Sequence, residues 1–175
     1  MRLFWVLRLW IYSIFMGSFN VLGYLGKPVF FKGFSKIYFG KDVRVFPGAR
    51  IESLGNGKIF FGDYVRAGHN LFVTTTDKDI KIGDKTILSA NIFIGTQKND
   101  FKKNINQPNK NWFKDSEENE IIIGERCFIG FGAVLLPGTK LGKSCVVGAN
   151  AVLSGSYDDF SVIAPPKSKV INKLQ

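Results

Sequence analysis

The C-terminal half of the chain repeats an aliphatic position every six residues. Ile123, Ile129, Leu135, Leu141, Val147 and Leu153 hold that spacing without a break. The residue after each is Gly124, Gly130, Leu136, Gly142, Gly148 or Ser154. Four places after each of the first five comes a small side chain: Cys127, Ala133, Thr139, Cys145 and Ala151. The register returns upstream in three triplets, Phe39–Val45–Ile51, Phe61–Ala67–Val73 and Ile82–Leu88–Ile94. Three hexads make one coil, so residues 39–153 predict five coils.

The spacing has a physical reason. A short strand points its aliphatic residue inward, and the chain then turns a corner at small residues. Three such strands close a triangular coil, and the large side chains stack on their equivalents in the next coil to form one continuous core. Glycine and small side chains relieve crowding where the backbone bends. An antiparallel sandwich would need turn signals every eight to twelve residues or so, not every six. The pattern therefore predicts an all-β parallel β-helix domain over residues 39–173, preceded by an apolar helical segment and lead-in over 1–38.

Three insertions interrupt the register. Residues 53–58 carry Gly55-Asn56-Gly57, a small turn, and residues 74–81 lengthen the next corner. The third, an excursion loop over 96–122, places a basic stretch (Lys98, Lys102, Lys103, Lys110, Lys114) before an acidic one (Asp115, Glu117, Glu118, Glu120). Long excursions from a regular scaffold are usually functional or disordered.

The first 26 residues change the picture in another way. Leu9 to Gly26 are uncharged, which is the lower edge of a membrane-spanning length. Ser13, Ser18, Asn20 and three glycines make this a poor spanning helix, and no small-residue cleavage site follows it. Trp5, Trp10, Tyr12 and Tyr24 with Arg2 and Arg8 suit a helix lying in the membrane interface, with the body of the protein on the cytoplasmic side. A helix capping the end of the solenoid fits the same residues, and the two roles are compatible.

The net charge of +10 favours polyanions as partners. No nucleic-acid-binding motif accompanies it, so anionic lipid, a phosphate-rich co-substrate or a lipid diphosphate fits better than RNA or DNA. Cys127 and Cys145 share a repeat position and read as small buried hydrophobes. No zinc-ligand spacing exists, and no metal or tightly bound cofactor is expected.

The stretch IIIGERCFIGFGAVLLPGTKLGKSCVVGANAVLSGSYDDFSVIAPPKSKVINK resembles the last two coils and tail of the hexapeptide-repeat acetyltransferases. The likeness runs from about Lys41 to Lys173 and is greatest to the branch acting in bacterial surface polysaccharide synthesis and to the sugar O-acetyltransferases. It implies a left-handed parallel β-helix, a homotrimer with active sites between subunits, and acetyl-CoA as co-substrate along the coil edge. It implies transfer to a sugar or lipid-linked sugar acceptor by a protein that is cytoplasmic and peripheral at the inner membrane.

In that family a histidine after the third coil acts as general base. The matching position here is Asn99, and Gln97 fills a second position that is often histidine. An amide orients an acceptor or stabilises an oxyanion, but it takes no proton near pH 7. His69, the only histidine, lies in coil two beside Gly68 and Asn70. The family carries an acceptor-contacting asparagine at the Gly68 position, which puts His69 near the intersubunit site. His69 is thus either a base supplied from the other side or an exposed corner residue with no task. Asp77 and Asp79 sit where the family places acceptor-contacting acids, or are solvated loop residues. The resemblance assigns Phe128, Gly148, Ala164, Lys167 and Lys169 to the CoA edge, although Phe128 replaces a frequent tryptophan and the tail Ala164-Pro165-Pro166 departs from the usual pattern.

Two alternatives stay open beside the transferase. One is a binding or structural protein on the same scaffold that has lost its base. The other is a transferase fed by an acidic acyl carrier protein, which a basic surface would suit. A zinc carbonic anhydrase on a related fold would need several histidines, which this chain does not have.

Overall fold

The structure is a computed structural model in which residues 2–18, 22–97 and 119–166 are described. Helix α1 (Arg2–Ser13) leads into a solenoid whose rungs each contribute three short strands. The first rung is β1 (Gly23–Leu25), β2 (Phe30–Lys32) and β3 (Ile37–Phe39). The second is β4 (Val43–Val45), β5 (Arg50–Ser53) and β6 (Ile59–Phe61), and the third is β7 (Arg66–Ala67), β8 (Phe72–Thr75) and β9 (Ile80–Ile82). The fourth is β10 (Ile87–Leu88), β11 (Phe93–Gly95) and β12 (Ile121–Ile123). The fifth is β13 (Phe128–Ile129), β14 (Val134–Leu135) and β15 (Lys140–Leu141). The sixth is β16 (Val146–Val147), β17 (Val152–Leu153) and β18 (Ser156–Tyr157), and β19 (Val162–Ile163) follows it.

Every pairing between rungs is parallel, and three sheets result. Sheet A stacks β1-β4-β7-β10-β13-β16-β19, sheet B stacks β2 to β17 and sheet C stacks β3 to β18, one strand per rung in each. This is the three-sided solenoid that the hexad pattern predicts, with the architecture of a left-handed β-helix. The coils expected from Phe39 onward are all present, and strands β1 and β2 extend two of the sheets upstream of them.

The register confirms which positions face inward. In sheet A, Leu25, Val45, Ala67, Leu88, Ile129, Val147 and Ile163 stand directly above one another. Sheet B aligns Phe31, Ile51, Val73, Ile94, Leu135 and Leu153. Ile51, Val73, Ile94, Leu135 and Leu153 are fully buried, so the core is a continuous aliphatic column. Cys127 and Cys145 are buried and unpaired in a disulfide, as small core residues. Burial pushes the Cys127 thiol up to about 11 and so keeps it from acting as a nucleophile near neutral pH.

The corner between sheets A and B is held by a column of Gly48, Asn70, Asn91, Gly132 and Asn150. All five have left-handed backbone, with φ between 57° and 88°. That region costs least for glycine and asparagine, the two residue types that fill this column.

Helix α1 closes the N-terminal end of the solenoid. Leu9, Ser13 and Met16 are buried beneath it. Trp5 packs on Tyr24 at 5.4 Å and on Phe46 at 6.0 Å, and Tyr12 on Phe34 at 5.2 Å. The Arg8 guanidinium donates 3.1 Å to the Leu25 carbonyl, at the edge of the first rung. A stacked-repeat core needs such a cover at its end. No helix among the described residues is long and apolar enough to cross a membrane.

Candidate functional site

Two edges of the prism carry the candidate residues. The edge between sheets A and B presents Gly68, His69 and Asn70 just after β7. It also carries Gly148 just after β16 and Ala164 just after β19. The parallel register stacks these positions on one side of the solenoid.

His69 is exposed at this edge. Its imidazole stands 5.0 Å from the Phe46 ring of the rung below, and its carbonyl accepts 2.9 Å from the Asn91 N–H of the rung above. The backbone is therefore fixed and the ring is presented to solvent on an aromatic platform. Such a ring can take a proton from an approaching hydroxyl.

Gly68 has a structural reason of its own. A Cβ there would lie 2.8 Å from the Ser89 carbonyl carbon, inside any normal contact, and the Gly68 N–H donates 2.8 Å to Leu88. Asn70 donates 3.0 Å from its amide to the Asn91 side chain and holds the left-handed corner. Gly148 lies against the tail, where an added Cβ would stand 3.2 Å from Pro165. Ala164 is exposed beside it.

The edge between sheets B and C holds the second group. Gln97, two residues beyond β11, donates 3.2 Å to the buried Thr74 hydroxyl. Beside it the Thr75 and Thr96 hydroxyls share a 2.8 Å hydrogen bond out of solvent. Asp77 is exposed on the adjacent turn and accepts 3.0 Å from the Asn56 N–H, and Asp79 accepts 2.8 Å from the Lys58 N–H. Both carboxylates thus tie the insertion at 53–58 to the rung above it while leaving lone pairs free.

His69 and the Gln97–Asp77 pair do not meet within one chain. Strand β8 lies between them, so they are separated by at least the width of a sheet, roughly 13 Å for its four residues. Asn99, Lys167 and Lys169 lie outside the described residues.

Phe128 projects outward from β13 and is 44% exposed. It stands in register between Ile87 and Val146, with Val162 beyond, as an exposed apolar strip up sheet A. On the same face nearer the N-terminus, Asp42 bridges Arg44 at 3.0 Å and Arg66 at 3.3 Å. Arg66 Nη1 is shielded from solvent yet has no hydrogen-bond partner among the described residues. The hexad pattern did not single out this charged group. The signal was present: Arg44 and Arg66 occupy the same outward position in successive rungs. Among the described residues no three histidine, cysteine, aspartate or glutamate side chains cluster as a metal site would require.

Comparison with known proteins adds four findings. Residues 120–154 match the family model described as the hexapeptide repeat of succinyl-transferase. The chain is 31% identical over 150 residues to the lipopolysaccharide biosynthesis O-acetyl transferase WbbJ of Escherichia coli, covering 83% of this chain and 76% of that protein. It is 25% identical over 107 residues to the galactoside O-acetyltransferase of Lactococcus lactis, covering 61% of this chain and 49% of that one. Among solved structures, the N-acyltransferase AntD of Bacillus cereus, in complex with dTDP and 3-hydroxybutyryl-CoA, superposes with a TM-score of 0.74. That match is 19% identical and covers 89% of this chain and 81% of that chain, a likeness of fold.

Proposed function

Because the chain belongs to the hexapeptide-repeat acyltransferases, we propose that it transfers the acyl group of acetyl-CoA to a sugar of a bacterial surface polysaccharide precursor, whether O-antigen, capsule or exopolysaccharide. The observation that carries this reading is the relationship to a lipopolysaccharide O-acetyl transferase over 83% of the chain, on a solenoid whose edges bear exposed polar side chains.

The chemistry is a single displacement. The acceptor oxygen attacks the thioester carbonyl, the new C–O bond forms, the C–S bond breaks, and the hydroxyl proton ends on the departing sulfur. His69 takes that proton as general base, and the amides of Gln97 and Asn99 orient the acceptor or the oxyanion. Gly68, Asn70 and Asp77 shape the acceptor side. Phe128, Gly148 and Ala164 contribute to the CoA side, to which the family resemblance also assigns Lys167 and Lys169.

The family resemblance supports a closed homotrimer, and because His69 and Gln97 do not meet within one chain, this reading has His69 of one subunit facing Gln97 of the next. The exposed strip of Ile87, Phe128, Val146 and Val162 supplies apolar surface for that association. We place the protein in the cytoplasm, peripheral to the inner membrane.

Calorimetric titration with acetyl-CoA, with CoA alone as comparison, tests the reading, followed by turnover with sugar acceptors. His69→Ala should lower turnover on the order of 100-fold or more. Full activity in that variant removes His69 as the base. One observation favours a second reading, a scaffold that binds without turning over: Asn99 stands where the family carries its base. Turnover by the native protein would exclude it, and activity gained only in Asn99→His would support it.

A further inference from the structure

The cap of the solenoid has two faces, and one is not used by the fold. Leu9 and Met16 are buried on one side of α1 and the turn after it. On the opposite side Leu3, Phe4, Leu7, Ile11, Ile14 and Phe15 are 42–69% exposed. At about 100° per residue Leu3, Phe4, Leu7 and Ile11 fall within one stripe of the helix, and Ile14 and Phe15 follow in the turn after it. Leu22 and Val29, on the first rung, are also exposed and enlarge the patch. A soluble surface rarely leaves so many large apolar side chains together.

The charge around this patch is of one sign. The first 41 residues hold six basic side chains and no acidic one, so they carry six of the ten net positive charges. Lys27 lies at the corner after β1, Lys32 and Lys36 lie about the corner after β2, and Lys41 lies at the corner after β3. Lys36 donates to the Gly55 carbonyl and Lys41 lies 5.8 Å from the Tyr64 ring, both toward the second rung, so Lys27 and Lys32 remain as the first-rung cations beside the patch. A second copy docked through the same face would oppose these cations to themselves. A bilayer with anionic headgroups satisfies both features at once.

We propose that this face docks the solenoid onto an anionic lipid surface, and that the acceptor is consequently a sugar carried on a lipid phosphate. The helix has 12 residues, about 18 Å long, so it lies in the interface and does not span a hydrocarbon core of about 30 Å. Docking at the first rung sets the height of the reactive edges. His69 is two rungs and Gln97 three rungs beyond the first, about 10 and 14 Å at the ordinary strand spacing, with the thickness of α1 between that rung and the lipid. A sugar joined to a lipid through phosphate projects into that layer. The acceptor assignment rests on the acyl-transfer reading above, with the same bonds made and broken. The docking face does not.

The test uses the full chain and a Phe4→Asp/Ile11→Asp variant, both side chains being clear of the solenoid. Flotation is measured with vesicles of phosphatidylcholine alone and of phosphatidylcholine with phosphatidylglycerol. Acetyl-CoA affinity is measured in parallel. Transfer is measured to a polyprenyl diphosphate carrying one sugar, in vesicles, and to the same sugar as its nucleoside diphosphate, in solution. The native chain should bind the anionic vesicles at least about ten-fold more tightly than the zwitterionic ones, and less tightly as salt rises. The variant should lose at least about ten-fold in vesicle affinity and keep its acetyl-CoA affinity. Its KM for the lipid-linked sugar should rise by a similar factor, with transfer to the soluble sugar unchanged. Absence of flotation, flotation indifferent to the variant, or a variant that instead breaks a larger oligomer would overturn the docking face. Unchanged transfer to the lipid-linked sugar by a variant that no longer floats would overturn the acceptor assignment. A native chain that floats but binds no acetyl-CoA supports the docking face and defeats the acyl-transfer reading instead.

Discussion

Separation of His69 from Gln97 by the full width of sheet B makes a quantitative prediction about mixed oligomers. If each site takes His69 from one subunit and Gln97 from its neighbour, two inactive chains can restore one another. Take His69→Ala, expected to retain on the order of 1% of activity or less, and Gln97→Ala, expected to retain about a tenth. Co-expressed in equal amounts with different tags, they assemble at random. A given site has an intact histidine in half of its placements and an intact glutamine in half, so about one quarter of sites are fully native in any closed ring. Purification through both tags removes the homo-oligomers, and a trimer holding both chains has one native site in three, so this species should show about a third of native activity per site, against about 5% for a mixture of separate homo-oligomers. Turnover of the doubly tag-purified species with acetyl-CoA and a sugar acceptor is the assay. Activity no higher than the average of the two variants would refute the reasoning and place a complete site on one chain.

Three further predictions concern the scaffold. The Cys127 thiol is held protonated by burial, from an ordinary value near 9 up to about 11. Only the unfolded chain releases its proton in that window, so stability is complete below pH 9 and falls by about 2–3 kcal/mol as pH rises to 11. Denaturant unfolding from pH 8 to 11 should show this fall, and Cys127→Ala should lack it. Asn70→Ala loses the amide bond to Asn91 and must hold φ 57° without the tolerance of asparagine, so it should cost about 1–3 kcal/mol in denaturant midpoint. Ile94→Ala empties a fully buried position in the middle of the sheet B column and should cost about 2–5 kcal/mol, read in the same experiment.

The solenoid was legible because one side-chain type recurs at one spacing, and that repeat is the core itself. Phe39, Val45 and Ile51 named the inward positions of three sheets, and the parallel register puts each under its predicted successor. The first strands were harder to read. β1 and β2 keep the inward positions with Leu25 and Phe31, in register with Val45 and Ile51, but they lie beside an uncharged N-terminal stretch in which two more apolar residues do not stand out. The left-handed corners were hidden for a different reason. Asp42, Tyr64, Lys85, Arg126 and Ser144 all adopt positive φ, yet only the Gly/Asn column advertises it by residue type. At these other corners the rungs on either side hold the backbone, and composition carries no trace of it. The site was legible only as residue types at edges. Sequence spacing does not show that Asn70 spends its amide on Asn91, or that Asp77 and Asp79 accept backbone N–H groups.

What one chain satisfies and what it leaves open are sharply divided. Inward positions are filled and buried from Leu25 to Leu153, and corner carboxylates such as Asp63 and Asp84 accept backbone donors across the rungs. The unfinished features all point outward. Arg66 Nη1 is shielded without a hydrogen-bond partner among the described residues, the sheet A strip from Ile87 to Val162 is exposed, and the cap is apolar on its free side. Arg66 is already ion-paired to Asp42 through Nη2, so Nη1 is the one donor of this partly exposed guanidinium left for a contact from outside. The strip and Arg66 share sheet A, whereas the apolar cap lies at the solenoid's end, so a single partner surface cannot cover both. Association between subunits along the prism and docking at its N-terminal end therefore act on separate surfaces, and either can be broken by substitution while the other is kept.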